Sequence, residues 1–422
     1  MLQRTVVAMA IGALMGLISV PPVAAQAILE RVTLEQAIGL FARHNLQLRI
    51  ARADAQEAAG LARQSAAYPN PTVSVTHEAL GGAGTDYSET YLNLSQSFEW
   101  PWLAAARRTA ASRMGDALGA RVAADSVRLV FDVKRSFIEA AIAERTRDAL
   151  EQATALVRHA EGQATARAAN GDLSQYELRR LRVERARYEI DLAAAALALH
   201  ASRRRLTALI MPDSARELAP VRLPDGEPPS AMLAEALQAA RVNRPELAGA
   251  AGRTAAAQGT RSAARAERLP VPMLTGGYKD QSDGLTGAFL GLGVRLPLFD
   301  RNQAAVAAGD AAVRSAEALE RLVARQIDND VRAAHDAYLA ARERANLMRT
   351  DLVGDTDALL RIARVAYDEG EMTLVELFDA VDAFRTAHVI ATAAIADLWV
   401  GYFDLERAVG AALDALPTEE VR

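Results

Sequence analysis

Six histidines, His44, His77, His159, His200, His335 and His388, are the side chains best suited to hold a transition metal or to move a proton near neutrality. None stands three or four residues from another, so no helix face carries a ligand pair. Cysteine is absent, which removes thiolate ligands, a thiol nucleophile, disulfides and a lipid anchor on Cys. No phosphate-cradling loop, Gly-x-Ser-x-Gly elbow or dinucleotide fingerprint occurs. The 53 acidic and 48 basic residues are interleaved along the chain, which reads as solvated helix faces and argues against a nucleic-acid partner. These residues predict no catalytic, cofactor-binding or metal-binding group, and a protein that is not an enzyme. What recurs instead is a structural pair of carboxylates. Gly171 is followed by Ser174-x-x-Glu177 and Gly370 by Thr373-x-x-Glu376. Glycine suits the left-handed residue that ends a helix, and Ser or Thr with Glu three residues on is a capping box that starts one. Each site stops one helix and begins another.

Gly171 and Gly370 stand 199 positions apart, and the same spacing separates Glu177 from Glu376, Pro71 from Pro270 and Ala37 from Ala236. A fixed offset at separated places marks a tandem repeat. Each copy opens with a helix, over about 33–67 and 230–268. A proline cluster closes it, Pro69 and Pro71 in the first copy, Pro270 and Pro272 in the second, because proline pushes its predecessor into extended backbone. Two alternating strands follow, about 72–80 and 90–99 in the first copy and 273–279 and 288–298 in the second, around Gly- and Asp-rich turns. Gly276-Gly277 and Gly291-x-Gly293 within them mark close backbone approach. Pro101 and Pro297 then lead into long proline-free helical patterns. From Trp102 to Gly171 one straight helix would span about 100 Å, so a fold-back is expected near Ala143–Leu150, with a counterpart near Arg342–Thr350. Two apolar stripes there suit a helix wedged between two neighbours. Met211–Pro229, with five prolines, reads as the linker.

The N-terminus has Arg4, an apolar run from Val6 to Val20 and small residues at Val23-Ala24-Ala25-Gln26-Ala27, the pattern of a secretory signal cleaved after Ala25 or Ala27. The division is therefore 1–27 signal, 28–211 first repeat, 212–229 linker, 230–410 second repeat and 411–422 tail. After the signal no stretch approaches the ~20 apolar residues of a spanning helix. Entry into a membrane would require strands closed into a barrel. Four strands per chain fall short of the smallest such barrel, about eight strands, so several copies would have to share it.

These pieces resemble the TolC family of outer-membrane efflux proteins over about Val32–Gly410. The likeness rests on Tyr68-Pro69-Asn70-Pro71 before the first hairpin, Leu296-Pro297-Leu298-Phe299-Asp300-Arg301-Asn302-Gln303 after the second, and the twice-repeated Gly-x-x-[Ser/Thr]-x-x-Glu-Leu. Phe299–Gln303 and Gly277-Tyr278-Lys279 look most like its heavy-metal branch, the CzcC-type cobalt–zinc–cadmium exporters, although Ala304 stands where that branch often has Gly. The resemblance implies a mainly α fold with a small membrane β part. Three chains would form a homotrimer with a 12-stranded barrel in outer-membrane lipid, continued by a periplasmic α-helical barrel. It places Gly171, Ser174, Glu177, Gly370, Thr373 and Glu376 at an equatorial belt, and Pro69, Pro71, Pro101, Pro270, Pro272 and Pro297 at barrel–helix junctions. The helix hairpins would dock on a periplasmic adaptor of an inner-membrane RND-type pump, with no cofactor. Glu343, Asp351, Asp355 and Asp357 would ring the mouth and attract cations. Divalent heavy metals are the expected cargo. Drugs or polypeptides through the same duct, or a periplasmic coiled-coil adaptor, are the alternatives.

Overall fold

A computed structural model describes residues 29–82, 85–214, 216–223, 227–229, 232–349 and 352–413. The signal segment and residues 414–422 of the tail lie outside them. The first half comprises β1 (Leu29–Val32), α1 (Leu34–His44), α2 (Leu46–Ser65), β2 (Thr72–Gly82), β3 (Thr85–Ser97), α3 (Pro101–Asn170) and α4 (Gln175–Ile210). Then come β4 (Glu217–Pro220), α5 (Leu233–Asn243), α6 (Pro245–Ala266), β5 (Val271–Gln281), β6 (Thr286–Arg295), α7 (Gln303–Arg349), α8 (Leu352–Glu369) and α9 (Leu374–Val409).

The opening helix of each half is two helices rather than one. Thr33 begins α1 with a complete capping box to Gln36, but Asn45 then takes extended backbone and caps α2 by accepting from Leu48 N at 2.8 Å. Its amide also donates to the Leu209 carbonyl at 2.7 Å, so the kink is tied to the end of α4. In the second half Pro245 at the first position of α6 makes the same break.

The expected fold-back at Ala143–Leu150 does not occur: α3 is one helix of 70 residues, about 105 Å long. The segment contains neither glycine nor proline, and Ala149, Leu150 and Ala153 are buried in the middle of a continuous apolar face. The second expected fold-back is also overturned. On either side of residues 350–351, α9 pairs with α7 through Arg344–Asp397 and with α8 through His388–Asp357. Both therefore lie along one side of α9, and α8 continues the course of α7. In each half the long helical run turns back at the glycine, Gly171 or Gly370.

So long a helix stands because it is covered along its length. Near the sheet, α6 lies against α3 through small residues: a Cβ on Gly259 would come 2.9 Å from the Ala110 Cβ, and one on Gly252 3.1 Å from that of Ala117. The heptad spacing of both pairs makes a close-packed seam. In the middle, Phe41, Val133, Phe137, Ile138, Tyr338, Leu405 and Val409 form the main core. Toward the far end, Val157, Ala160, Leu181, Leu377 and Phe384 form a second. Among the described residues α9 is long and apolar enough to cross a membrane on composition, contrary to the sequence reading. Leu398, Trp399, Tyr402 and Phe403 are buried in the main core, so α9 is a core helix.

The linker holds an element the sequence did not announce. β4 pairs in parallel with β1, from Leu29↔Glu217 to Val32↔Pro220, and the Leu218 amide donates to Thr207 Oγ1 at 2.8 Å. This two-stranded clasp straps the middle of the bundle.

β2, β3, β5 and β6 form an antiparallel sheet in that order. The strands run further toward their turns than the alternation predicted. The register sets Val73 beside Leu94, Gly276 and Leu290, and Val75 beside Leu92, Tyr278 and Ala288. One face is therefore apolar and the other polar. Gly277 lies where a Cβ would collide with the Leu92 carbonyl and the Phe289 ring.

Replacing Gly259 by Val should force α6 off α3 and cost about 1–3 kcal/mol. Gly60→Ala in α2, where a Cβ meets nothing within 4 Å, should be neutral or add about 0.5–1 kcal/mol. Thermal unfolding of the two purified variants checks this contrast.

Candidate channel wall and helical tips

The sheet is the first part of the site. Val73, Val75, Leu92, Leu94, Leu290, Leu292 and Val294 share its apolar face and are 49–78% exposed. On a single chain in water such a face is a large apolar patch; in a bilayer it is the lipid surface. The opposite face carries Ser74, Thr76, Asn93, Ser95 and Thr275 and a polar knot near the turns. There the Tyr87 and Tyr91 hydroxyls donate to the Glu89 carboxylate, and Lys279 Nζ lies 2.7 Å from it. Gln281 also donates to Glu89, at 3.2 Å. The knot fastens β3 to β5, where the two halves of the chain meet. Sequence reasoning missed it, although Tyr87, Glu89 and Tyr91 alternate as one face of a strand.

The junction between sheet and helices is built from the proline clusters and the motif after β6. Pro69 and Pro71 lie between α2 and β2, Pro270 directly precedes β5, Pro272 is its second residue, Pro101 opens α3, and Pro297 follows β6. The Trp100 indole donates to the Pro270 carbonyl at 2.8 Å and stacks on Trp102 at 4.9 Å. Arg107 bridges Glu99 and Glu267. Asn302 adopts φ of 56°, a conformation asparagine tolerates better than most residues. Its amide donates to the Ala264 carbonyl and to Glu267, both at 2.9 Å, so Asp300-Arg301-Asn302-Gln303 pins the start of α7 to the end of α6.

The repeated glycines form the second part of the site, and the equatorial position expected for them is wrong. Gly171, with φ of 85°, is the turn of the α3–α4 hairpin, and Gly370, with φ of 79°, that of the α8–α9 hairpin. Both sit a full α3 length from the sheet. The clasp of β1 and β4 occupies the middle instead. At each tip the amide two residues into the turn bonds back, Asp172 N to the Arg167 carbonyl and Glu371 N to that of Ala366, both at 2.9 Å, the Schellman closure. Ser174 with Glu177 and Thr373 with Glu376 then form complete capping boxes. The Thr373 backbone N–H and hydroxyl hold the Glu376 carboxyl below the usual carboxylate range. The two tips are also joined: His159 Nε2 lies 2.9 Å from Asp368 Oδ1, which accepts from Gln163 at 2.9 Å. The Arg167 guanidinium stands 5.8 Å from the Tyr367 ring centre.

Of the four acidic residues expected at the mouth, Glu343, Asp355 and Asp357 are not at a turn, because the chain turns back at Gly370 instead. Glu343 is exposed on α7, well above the tip. Asp355 is exposed on α8, and Asp357 lies 2.8 Å from His388 Nε2. Asp351 lies outside the described residues. No group of three or more metal-ligating side chains occurs among the described residues.

The outer membrane efflux protein family matches this chain over residues 236–397. The match runs from α5 into α9, and over it the chain is similar to that family, the TolC family. The chain is an outer-membrane channel component and not an enzyme, with its helical part extending into the periplasm. It is 25% identical over 384 residues, 90% of each chain, to the cobalt-zinc-cadmium resistance protein CzcC of Cupriavidus metallidurans. Its fold is similar to that of the outer-membrane channel OprN (TM-score 0.74, 17% identity, 90% of each chain). It is similar too to VceC from Vibrio cholerae (0.72, 19%, 90% of this chain and 96% of that one). The Campylobacter jejuni CmeC outer membrane channel gives 0.76 at 17% identity, over 89% of this chain and 85% of that one.

Gly171→Ala and Gly370→Ala should each cost about 1–2 kcal/mol through the left-handed backbone, and Ser174→Ala about 1 kcal/mol through the lost cap. Hydrogen exchange at the tip amides should rise in all three. In the unaltered protein the Thr373–Glu376 cap is intact above the ordinary carboxylate range. It loosens only as pH falls through the lowered Glu376 value, so tip exchange corrected for intrinsic rates should stay flat from neutral pH to mildly acidic pH.

Proposed function

We propose that three copies of this chain form the outer-membrane duct of a tripartite efflux system and passively carry divalent heavy-metal cations out of the cell. The observation that carries this reading is the sheet. It has an apolar outer face, a polar inner face and two open edges, β2 and β6. In lipid those edges must be paired. β6 runs antiparallel to β2, so β6 of one copy can continue into β2 of the next without reversing the alternation. Three copies give twelve strands, within the range of membrane barrels.

The helices then continue the barrel as a duct, and the paired glycine tips are its periplasmic end. That end is where an adaptor bound to an inner-membrane pump would engage, which supplies the energy the channel lacks. Metal cargo is supported by the likeness to CzcC. Of the exposed members of the expected acidic set, Glu343 and Asp355, Asp355 is nearer that end, and is assigned to cation attraction.

Cell fractionation should recover the chain in the outer membrane, and unboiled gels should show a trimer-sized band; recovery in the soluble periplasm contradicts the duct. Deleting the chain from its native host should lower tolerance to zinc, cobalt or cadmium salts. Unchanged metal tolerance with heightened drug sensitivity would reassign the cargo. In planar bilayers Asp355→Asn should reduce cation preference, and an unchanged preference removes Asp355 from the role.

A further inference from the structure

Just below the sheet, α2 and α3 run side by side but part to leave a cavity of about 590 Å³. Arg63 and Ala66 of α2 and Arg108, Ser112, Gly115 and Asp116 of α3 line it. Charge is unevenly placed around it. Arg107 takes both carboxylates at the junction, Glu99 and Glu267, and Asp116 pairs with Arg113 at 3.5 Å. Arg63 and Arg108 are exposed, and among the described residues neither has an ion pair. Arg108 bonds only through Nε, to the Ala104 carbonyl at 3.2 Å. That bond turns the side chain back along α3 toward the sheet and leaves both ends of its fork without a partner among the described residues.

We infer that this cavity is a phospholipid site, in which Arg63 and Arg108 hold the phosphate of an anionic lipid from the periplasmic leaflet of the outer membrane. The inference rests on the apolar face of the sheet lying in lipid, and adds a ligand and the residues that bind it. A guanidinium fork matches two oxygens of a phosphodiester. The alanine and glycine walls take the uncharged glycerol part. Basic pockets between helices at a membrane surface hold lipid head groups in this way.

Level and side both fit. The apolar face ends at Leu296, Leu298 and the stacked Trp100–Trp102 pair, with Trp102 51% exposed, and indoles settle at the membrane boundary. Ala104, where Arg108 is anchored, lies within about 6 Å of Trp102 along the helix. The head-group layer is about 5–8 Å deep on each side of a bilayer, so the Arg108 guanidinium stands in it. Glu99 continues the polar alternation of Ser95 and Ser97, and Arg107 bonds to it, so Arg107 marks the duct side of α3. Ser112 and Asp116 stand about 140° and 180° round the helix from Arg107. The cavity therefore opens away from the duct, on the side continuous with the lipid face.

The test uses the full chain purified from outer membranes in mild detergent and stripped of native lipid. The probe is dioctanoyl phosphatidylglycerol, with binding read by native mass spectrometry. The unaltered chain should bind it saturably, and Arg63→Gln with Arg108→Gln should weaken binding about tenfold or more. A Cβ on Gly115 meets nothing within 4 Å, and glycine is unfavourable inside a helix. Gly115→Leu should therefore fold as well as the unaltered chain, and should weaken binding by filling the cavity with no change of charge. Arg204→Gln, at an exposed position on α4, should bind as the unaltered chain does. Dioctanoyl phosphatidylcholine, whose head group has no net charge, should bind more weakly. Displacement of the lipid by an equal concentration of inorganic phosphate would make this a free-anion site and overturn the lipid. Undiminished phosphatidylglycerol binding in the double variant and in Gly115→Leu, with both recovered from outer membranes, overturns the site and leaves the duct standing. Recovery of the unaltered chain in the soluble periplasm overturns both.

Discussion

A backbone amide or carbonyl facing hydrocarbon has no water to bond, and each one left unpaired costs several kcal/mol. That constraint governs this chain. Its four-stranded sheet shows an apolar face fit for lipid and two unpaired edges, so the folded subunit is an incomplete object. Completion comes through other copies, and the elements around the sheet make sense as devices for presenting it in a closed ring. The Glu89–Lys279 knot locks the two halves of the sheet together, so that each chain offers one rigid four-stranded wall. Below the sheet, the glycine–alanine contact of α6 with α3 lets helices approach closely enough to carry the barrel onward as a wall of helices.

The helical part trades side-chain bulk for length. Aromatic residues make up only 5% of the chain, and they concentrate where the clasp crosses the bundle, at Phe41, Phe137, Tyr338, Trp399, Tyr402 and Phe403. This middle core is the broadest packed region of the chain and holds the two halves in register. Away from it, α3 is covered by one small-residue seam toward the sheet and one leucine- and alanine-rich core toward the tip. The tips themselves are held by glycine turns and reciprocal caps, which are local and exposed. An end fixed by local hydrogen bonds can be engaged by a partner without disturbing the core above it.

Much of this was legible in the sequence because its signals are local or periodic. The strands announced themselves by alternation, the junctions by proline, and the helix stops by Gly171 and Gly370. The position of those stops was misjudged because the length of α3 was taken to require a fold-back. A helix can run some 105 Å when successive partners cover it, and much of that cover comes from α6 and α9, distant in sequence. The same error moved Glu343, Asp355 and Asp357 to a mouth they do not form. The split at Asn45 depends on a bond to Leu209, and the β1–β4 clasp on two four-residue strands 188 positions apart. Neither leaves a periodic trace. The Glu89 knot lies in a strand that was correctly read, but its partners come from the other repeat.

Native mass spectrometry of the protein extracted from outer membranes in mild detergent tests the central claim most directly. Three chains per complex are predicted, with no folded monomer retaining the sheet. A stable monomer with its strand amides protected from exchange would contradict it, because it would show the sheet complete without a second copy.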